Sequence, residues 1–226
     1  NKASLQFKNI KFDLLVTDTN SAKEDIDKIQ QILNQSNIEN EFESIDPKNF
    51  KDKIKPGYSE AKFSNMANFY TSLMIAKKDP ADVIYFVEDD YLHSEDAITE
   101  MIFAYEKFCT IFSKDVVLLP ADYPYLYAKD DVTKIYLGEK YHWRLVSESL
   151  VTFMTSKKVI EKNYLNLEKM GIEWIDPWEK PLHDIYNSYP CLSPMPSLAV
   201  HCANINSIFG ISPFSDLKKL WEKSEV

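Results

Sequence analysis

The chain predicts an α/β fold, a mostly parallel central sheet flanked by helices, and three observations lead there. Short apolar runs of strand length alternate with stretches of helical period in the order β-α-β-α-β-α-β across residues 11–119. The run Val83-Ile84-Tyr85-Phe86-Val87 is continuously apolar, as expected of a strand buried on both faces in the middle of a sheet. From residue 120 the pattern turns aromatic and Pro-punctuated, which predicts a smaller mixed region of short strands and loops. With 226 residues, 45% hydrophobic and 27% charged, the chain can bury a full core. A single domain over 1–226 is expected, in halves 1–119 and 120–226.

In order, 11–17 reads as a strand that stops at the turn and capping residues Asp18-Thr19-Asn20-Ser21. Ile26, Ile29, Ile32 and Leu33 recur at helical spacing and predict a helix over 22–36. A short strand is expected at 42–45, then a loop over 46–60 carrying Pro47, Pro56 and Gly57. Ser64 is read as the cap of a helix through Lys78, ended by Asp79-Pro80. After the strand at 83–87, Ser94 is read as the cap of a helix through Phe112, and 116–119 as the next strand. Beyond that, strands are expected at 135–137, 150–154 and 198–200, and helices at 157–170 and 178–187.

Composition excludes several functions. Acidic side chains number 35 against 26 basic, a net charge of −9, which opposes binding to a nucleic-acid backbone. The four glycines, Gly57, Gly138, Gly171 and Gly210, are too far apart for a dinucleotide-binding loop or a P-loop. Cys109, Cys191 and Cys202 have neither disulfide-framework nor zinc-knuckle spacing, which fits a reducing cytoplasm. No apolar run approaches membrane-span length and no signal peptide opens the chain, so peripheral membrane association would come through missing regions. Asn1 in place of Met points to a fragment of a longer protein.

The chemistry is expected at Glu88-Asp89-Asp90, where the 83–87 strand halts, because ligands of open α/β sheets bind beyond the carboxyl ends of the strands. Three adjacent carboxylates repel one another and call for a cation, and oxygen-rich clusters select hard ions such as Mg²⁺ or Mn²⁺. A bland alternative is an acidic cap for the helix near Ser94, although capping needs one carboxylate and not three. The segment 85–92, Tyr85-Phe86-Val87-Glu88-Asp89-Asp90-Tyr91-Leu92, resembles the strand and DXD motif, in an E-D-D spelling, of family 2-like GT-A-fold glycosyltransferases. That resemblance implies Asp90 as the direct ligand of Mn²⁺ or Mg²⁺, and Glu88 with Asp89 on the nucleotide-sugar side. Pro196-Ser197-Leu198-Ala199-Val200-His201 is similar to the late segment of the family in which a histidine returns to the metal, which implies His201 as its second ligand.

The resemblance further implies a catalytic carboxylate at a helix start, and here the spelling departs from the family pattern. Asp176, Glu179 and Asp184 compete; Asp184, 17 positions before His201, is preferred as general base, with Glu179 as the neighbouring candidate. Thr17, Asp18 and Asn20 are placed to hydrogen-bond a base or ribose, while Lys62, Ser64, Asn65 and Asn68 resemble the residues that hold the donor diphosphate. For a carbohydrate acceptor the aromatic-rich 120–153 stretch offers Trp143 as a stacking face and Arg144 as a clamp. The expected activity is transfer of a sugar, with inversion, from a nucleoside diphosphate sugar to a carbohydrate hydroxyl, in glycan or surface-polysaccharide synthesis. The rival readings are a sugar nucleotidyltransferase, whose Gly-rich phosphate loop is missing here, and a non-catalytic glycan- or partner-binding module.

Overall fold

The computed structural model describes residues 2–130, 132–203, 205–208, 210, 211 and 215–224. Its elements run α1 (Lys2–Gln6), β1 (Asp13–Asp18), α2 (Lys23–Gln35), β2 (Glu39–Ser44), α3 (Glu60–Lys78), β3 (Val83–Phe86), β4 (Tyr91–His93), α4 (Ala97–Phe112) and β5 (Val117–Leu118). They continue with β6 (Ile135–Leu137), β7 (His142–Val146), β8 (Phe153–Ser156), α5 (Lys157–Ile172), α6 (Lys180–Ile185), β9 (Cys191–Met195), β10 (Ala199–His201) and α7 (Leu217–Ser224). Single 3₁₀ turns occupy Pro47–Phe50 and Pro124–Ala128. The chain is thus α/β, and it divides into two compact units, residues 1–80 with 160–181 and residues 81–159 with 182–226.

In the first unit β1 and β2 pair in parallel, from Asp13 opposite Glu39 to Asp18 opposite Ser44, with the amphipathic α2 as crossover. The cap of α3 is Ser59, not Ser64: Ser59 Oγ accepts from the Lys62 N–H, and Ser64 lies buried one turn further on. The helix starts earlier because Ser59 already holds the extended backbone that a cap needs, just after the Pro56-Gly57 turn. Met66 and Ala67 pack on Ile54, enclosed by Phe50, Tyr58, Phe63, Trp174 and Trp178. The two tryptophans stack at 5.0 Å, 3° from parallel.

The second unit holds a six-stranded sheet in the order β3-β8-β5-β9-β7-β6. It corrects the expectation of a mostly parallel sheet, since β5–β9 is its one parallel pair and every other pairing is antiparallel. The cause is that the later strands do not form a separate region; β8 inserts between β3 and β5, and β9 and β7 complete the far side. The 83–87 run is correspondingly an edge of this sheet, with Val83 and Val87 exposed. The doubly buried run is 116–119, Val116-Val117-Leu118-Leu119, each 0% exposed. Over it lies α4, whose Ala97, Met101, Ala104 and Phe108 meet Val116, Leu118, Trp143, Met154 and Leu192. This helix starts at Ala97 after Asp96, and Ser94 does not cap it: its Oγ, buried, has no hydrogen-bond partner among the described residues, while its N–H donates to the Leu198 carbonyl at 2.8 Å.

Glu100, 2% exposed on α4, pins the turn between β6 and β7: its carboxylate accepts from the Glu139 N–H (3.0 Å), the Lys140 N–H (2.9 Å) and Trp143 Nε1–H (3.1 Å). A Cβ at Gly138 would stand 2.4 Å from Glu100 Oε1, so the turn must be glycine there. Glu100→Ala leaves three donors without their acceptor and should lower stability by about 3 kcal/mol or more in urea unfolding, with Glu100→Gln, which keeps one carbonyl oxygen, falling in between.

Candidate functional site

The site is built on a feature that strand-length patterning does not show, the two-stranded antiparallel ribbon of β4 and β10. Its register sets Tyr91 opposite His201, Leu92 opposite Val200 and His93 opposite Ala199. Asp90 immediately precedes β4 and His201 ends β10, so the pairing brings together residues 111 positions apart. The Cys202 N–H donates to the Asp90 carbonyl at 2.7 Å and closes the ribbon beyond them. Asp90 Oδ2 lies 3.0 Å from His201 Nε2, while Oδ1, removed from solvent, has no hydrogen-bond partner among the described residues. One hard carboxylate oxygen and one imidazole nitrogen converge, with a buried lone pair left open. A small divalent cation accepts this donor chemistry, and such ions draw the rest of their shell from water and bound phosphate. Among the described residues no group of three or more His, Cys, Asp or Glu side chains is placed to hold a metal.

Glu88 is held from the neighbouring strand. Its N–H donates to Thr152 Oγ1 at 3.0 Å, and the same hydroxyl donates to Glu88 Oε2 at 3.3 Å; Thr152 is 0% exposed. The Tyr91 hydroxyl sits 2.5 Å from that of Tyr123. Burial first, and the Glu88 charge in addition, push both phenols above their ordinary range, so they remain protonated donors. Asp89 is exposed. Sequence patterning missed Thr152, although a lone hydroxyl in the apolar 150–154 stretch was a signal, since a buried hydroxyl requires a partner.

The residues expected to face an acceptor lie elsewhere. Trp143 is 0% exposed, set edge-on to Phe108 and donating to Glu100, so no face of its ring is open to a sugar. Arg144 is buried in an ion pair with Asp122, Nη2 at 2.7 Å and Nε at 3.2 Å from Oδ1. Both changes follow from β7 lying between β9 and β6 within the sheet, where its side chains become core. Asp184 lies exposed on α6 in the second unit; Glu179, half-buried, belongs to the first. His183 faces inward, within 3.0 Å of the main-chain N and O of Ser149.

In the first unit the end of β1 meets α3 through a polar cluster. Thr17 Oγ1 donates to Asn68 Oδ1 at 2.8 Å, Asn68 Nδ2 donates to the Thr17 carbonyl at 3.1 Å, and Asn20 Nδ2 donates to Ser64 Oγ at 2.5 Å. Asp18 instead caps its own turn, accepting from Ser21. Lys62 Nζ lies 4.2 Å over the Trp174 ring, and Asn65 is exposed on α3. Thr17, Asn20, Ser64 and Asn68 therefore come together in one polar cluster, while Lys62 packs on an indole. In comparisons with known proteins, no family model matches the chain and no curated protein sequence does.

The ribbon carries its own pH sensitivity. The Nε2 of His93 lies 2.5 Å from the Tyr85 hydroxyl, and burial lowers the imidazole from 6.5 to about 4. On acidification the unfolded chain takes up this proton first. The contribution is intact above about pH 6.5 and is lost as pH falls towards about 4, roughly 3 kcal/mol in all. Unfolding midpoints measured from pH 7.5 to 4 should fall along that window, and a His93→Gln variant should show a visibly shallower decline.

Proposed function

We propose that the chain is a metal-dependent glycosyltransferase of the GT-A type, moving a sugar from a nucleoside diphosphate donor to a carbohydrate hydroxyl. The single observation that carries the reading is the Asp90–His201 pair with its unpartnered Oδ1, at the place where the acidic motif resembles that family. In this reading Asp90 and His201 hold Mn²⁺ or Mg²⁺. When bound, the ion neutralises charge developing on the leaving diphosphate. Glu88, fixed by Thr152, faces the sugar. Asp184, an exposed carboxylate, accepts the proton of the attacking hydroxyl, and a base on that side makes the displacement inverting.

Calorimetry with UDP and GDP, with Mn²⁺ and with EDTA, tests the reading. Wild-type chain should bind one of them only with Mn²⁺ present. Asp90→Asn should weaken that binding by about 100-fold, about 2.7 kcal/mol, with an unchanged unfolding midpoint. Asp184→Asn should leave it intact, since a base on the acceptor acts in the transition state. Binding that is the same in EDTA, or that survives Asp90→Asn, overturns the assignment.

A further inference from the structure

Burial of Trp143 and Arg144 takes both out of reach of an acceptor, yet the same ion pair produces a different surface. Tyr127, in the 3₁₀ turn Pro124–Ala128, is 54% exposed. An exposed tyrosine ordinarily swings freely, and this one is held at both ends. Its hydroxyl donates to Asp122 Oδ2, and its ring lies 4.1 Å from the Arg144 guanidinium carbon. Those partners are themselves fixed, with side chains 3% and 9% exposed and locked to each other. The phenol is pushed up to about 12, by burial first and by the Asp122 hydrogen bond second, so it stays a donor at any working pH. The ring is therefore presented flat, one side on a cation and the residue otherwise largely in solvent. The same turn brings Lys129, ion-paired with Glu148 and 5.5 Å over the Tyr125 ring.

We infer that Tyr127 is a stacking platform for one pyranose ring of a carbohydrate, with the Lys129–Glu148 pair at the end of the same turn for the hydroxyls. The chemistry fits that ligand class. A fixed aromatic face gives the C–H face of a sugar apolar contact without the entropy of ordering a side chain, and charged groups alongside accept and donate to its hydroxyls. The platform is also tied to the metal pair. The Asp122 N–H donates to Ser197 Oγ at 2.8 Å, and the Leu198 and Ala199 N–H groups both donate to the Pro120 carbonyl, at 2.8 and 3.0 Å. Segment 120–123 thus braces β10, which carries His201, and through Tyr123 meets Tyr91 beside Asp90. The inference deepens the transferase reading and rests on it in assigning the sugar to the acceptor.

The experiment is saturation-transfer NMR and calorimetry on the full chain with cellohexaose and maltohexaose as probes, and Mn²⁺ affinity read separately by EPR. At least one hexasaccharide should bind. Tyr127→Phe, which loses the hydrogen bond to Asp122 but keeps the ring, should stay within threefold, while Tyr127→Leu, which loses the same hydrogen bond and the ring with it, should weaken binding tenfold or more, both variants being folded by circular dichroism and matched in unfolding midpoint to each other. Wild-type chain binding neither probe, or Tyr127→Leu binding as wild type, overturns the platform. If that happens while Mn²⁺ still binds through Asp90, the transferase reading stands alone. Saccharide binding through Tyr127 in a chain that takes no Mn²⁺ upholds the platform and overturns the transferase reading.

Discussion

Arg144 is the single arginine of a chain that otherwise uses lysine, and its pairing with Asp122 is the interaction on which the second unit depends. Two charges removed from water cost several kcal/mol each unless geometry and hydrogen bonds are complete. Here they are: Nη2 and Nε reach Oδ1, Ser193 Oγ adds a contact to the same oxygen at 3.4 Å, and Tyr127 donates to Oδ2. Lysine could not substitute, having one point charge and no planar fork to place two N–H groups on one carboxylate. Removing one partner alone would strand the other in the core, at a cost of about 3–5 kcal/mol.

That pair connects strands that are far apart in sequence. Arg144 stands on β7 opposite Ser193 of β9, and Asp122 follows the buried run that contains β5, so three neighbouring stretches of the sheet meet at one carboxylate. From Asp122 the bonding continues through Ser197 to β10, which pairs with β4. The Asp90–His201 geometry is thus the far end of a continuous, hydrogen-bonded frame. A ribbon of three residue pairs would not be stable by itself.

Helices α2 to α6 and most strands were legible because their signals are local: period in α2, Asp79-Pro80 after α3, and a fully apolar run at 116–119; the short terminal helices α1 and α7 were not. Strand order was not, because it depends on pairings of residues far apart. In β9 the sequence Cys191-Leu192-Ser193-Pro194-Met195 carries a proline and reads as loop, yet it is buried between β5 and β7, with Pro194 opposite Trp143. The acidic run at 88–90 and the late His201 stand out in the sequence by residue type, but the register that joins them does not. That Trp143 and Arg144 turn inward was not legible, because an aromatic-basic cluster looks alike in a core and at a surface until β7 has neighbours on both sides. A lone arginine in a lysine-rich chain was a readable sign of a buried pair.

Two carboxylates of the same unit differ in how completely the fold satisfies them. Asp122 has both oxygens engaged, by Arg144, Ser193 and Tyr127, and nothing is left for a ligand to use. Asp90 has one oxygen shared with a histidine and one buried without a partner. An unmade hydrogen bond of that kind costs about 1–3 kcal/mol. The Cys202 N–H is spent on the Asp90 main-chain carbonyl and does not reach that side-chain oxygen. That lone pair, open beside an imidazole, is what the Asp90–His201 pair has and the Asp122–Arg144 pair lacks.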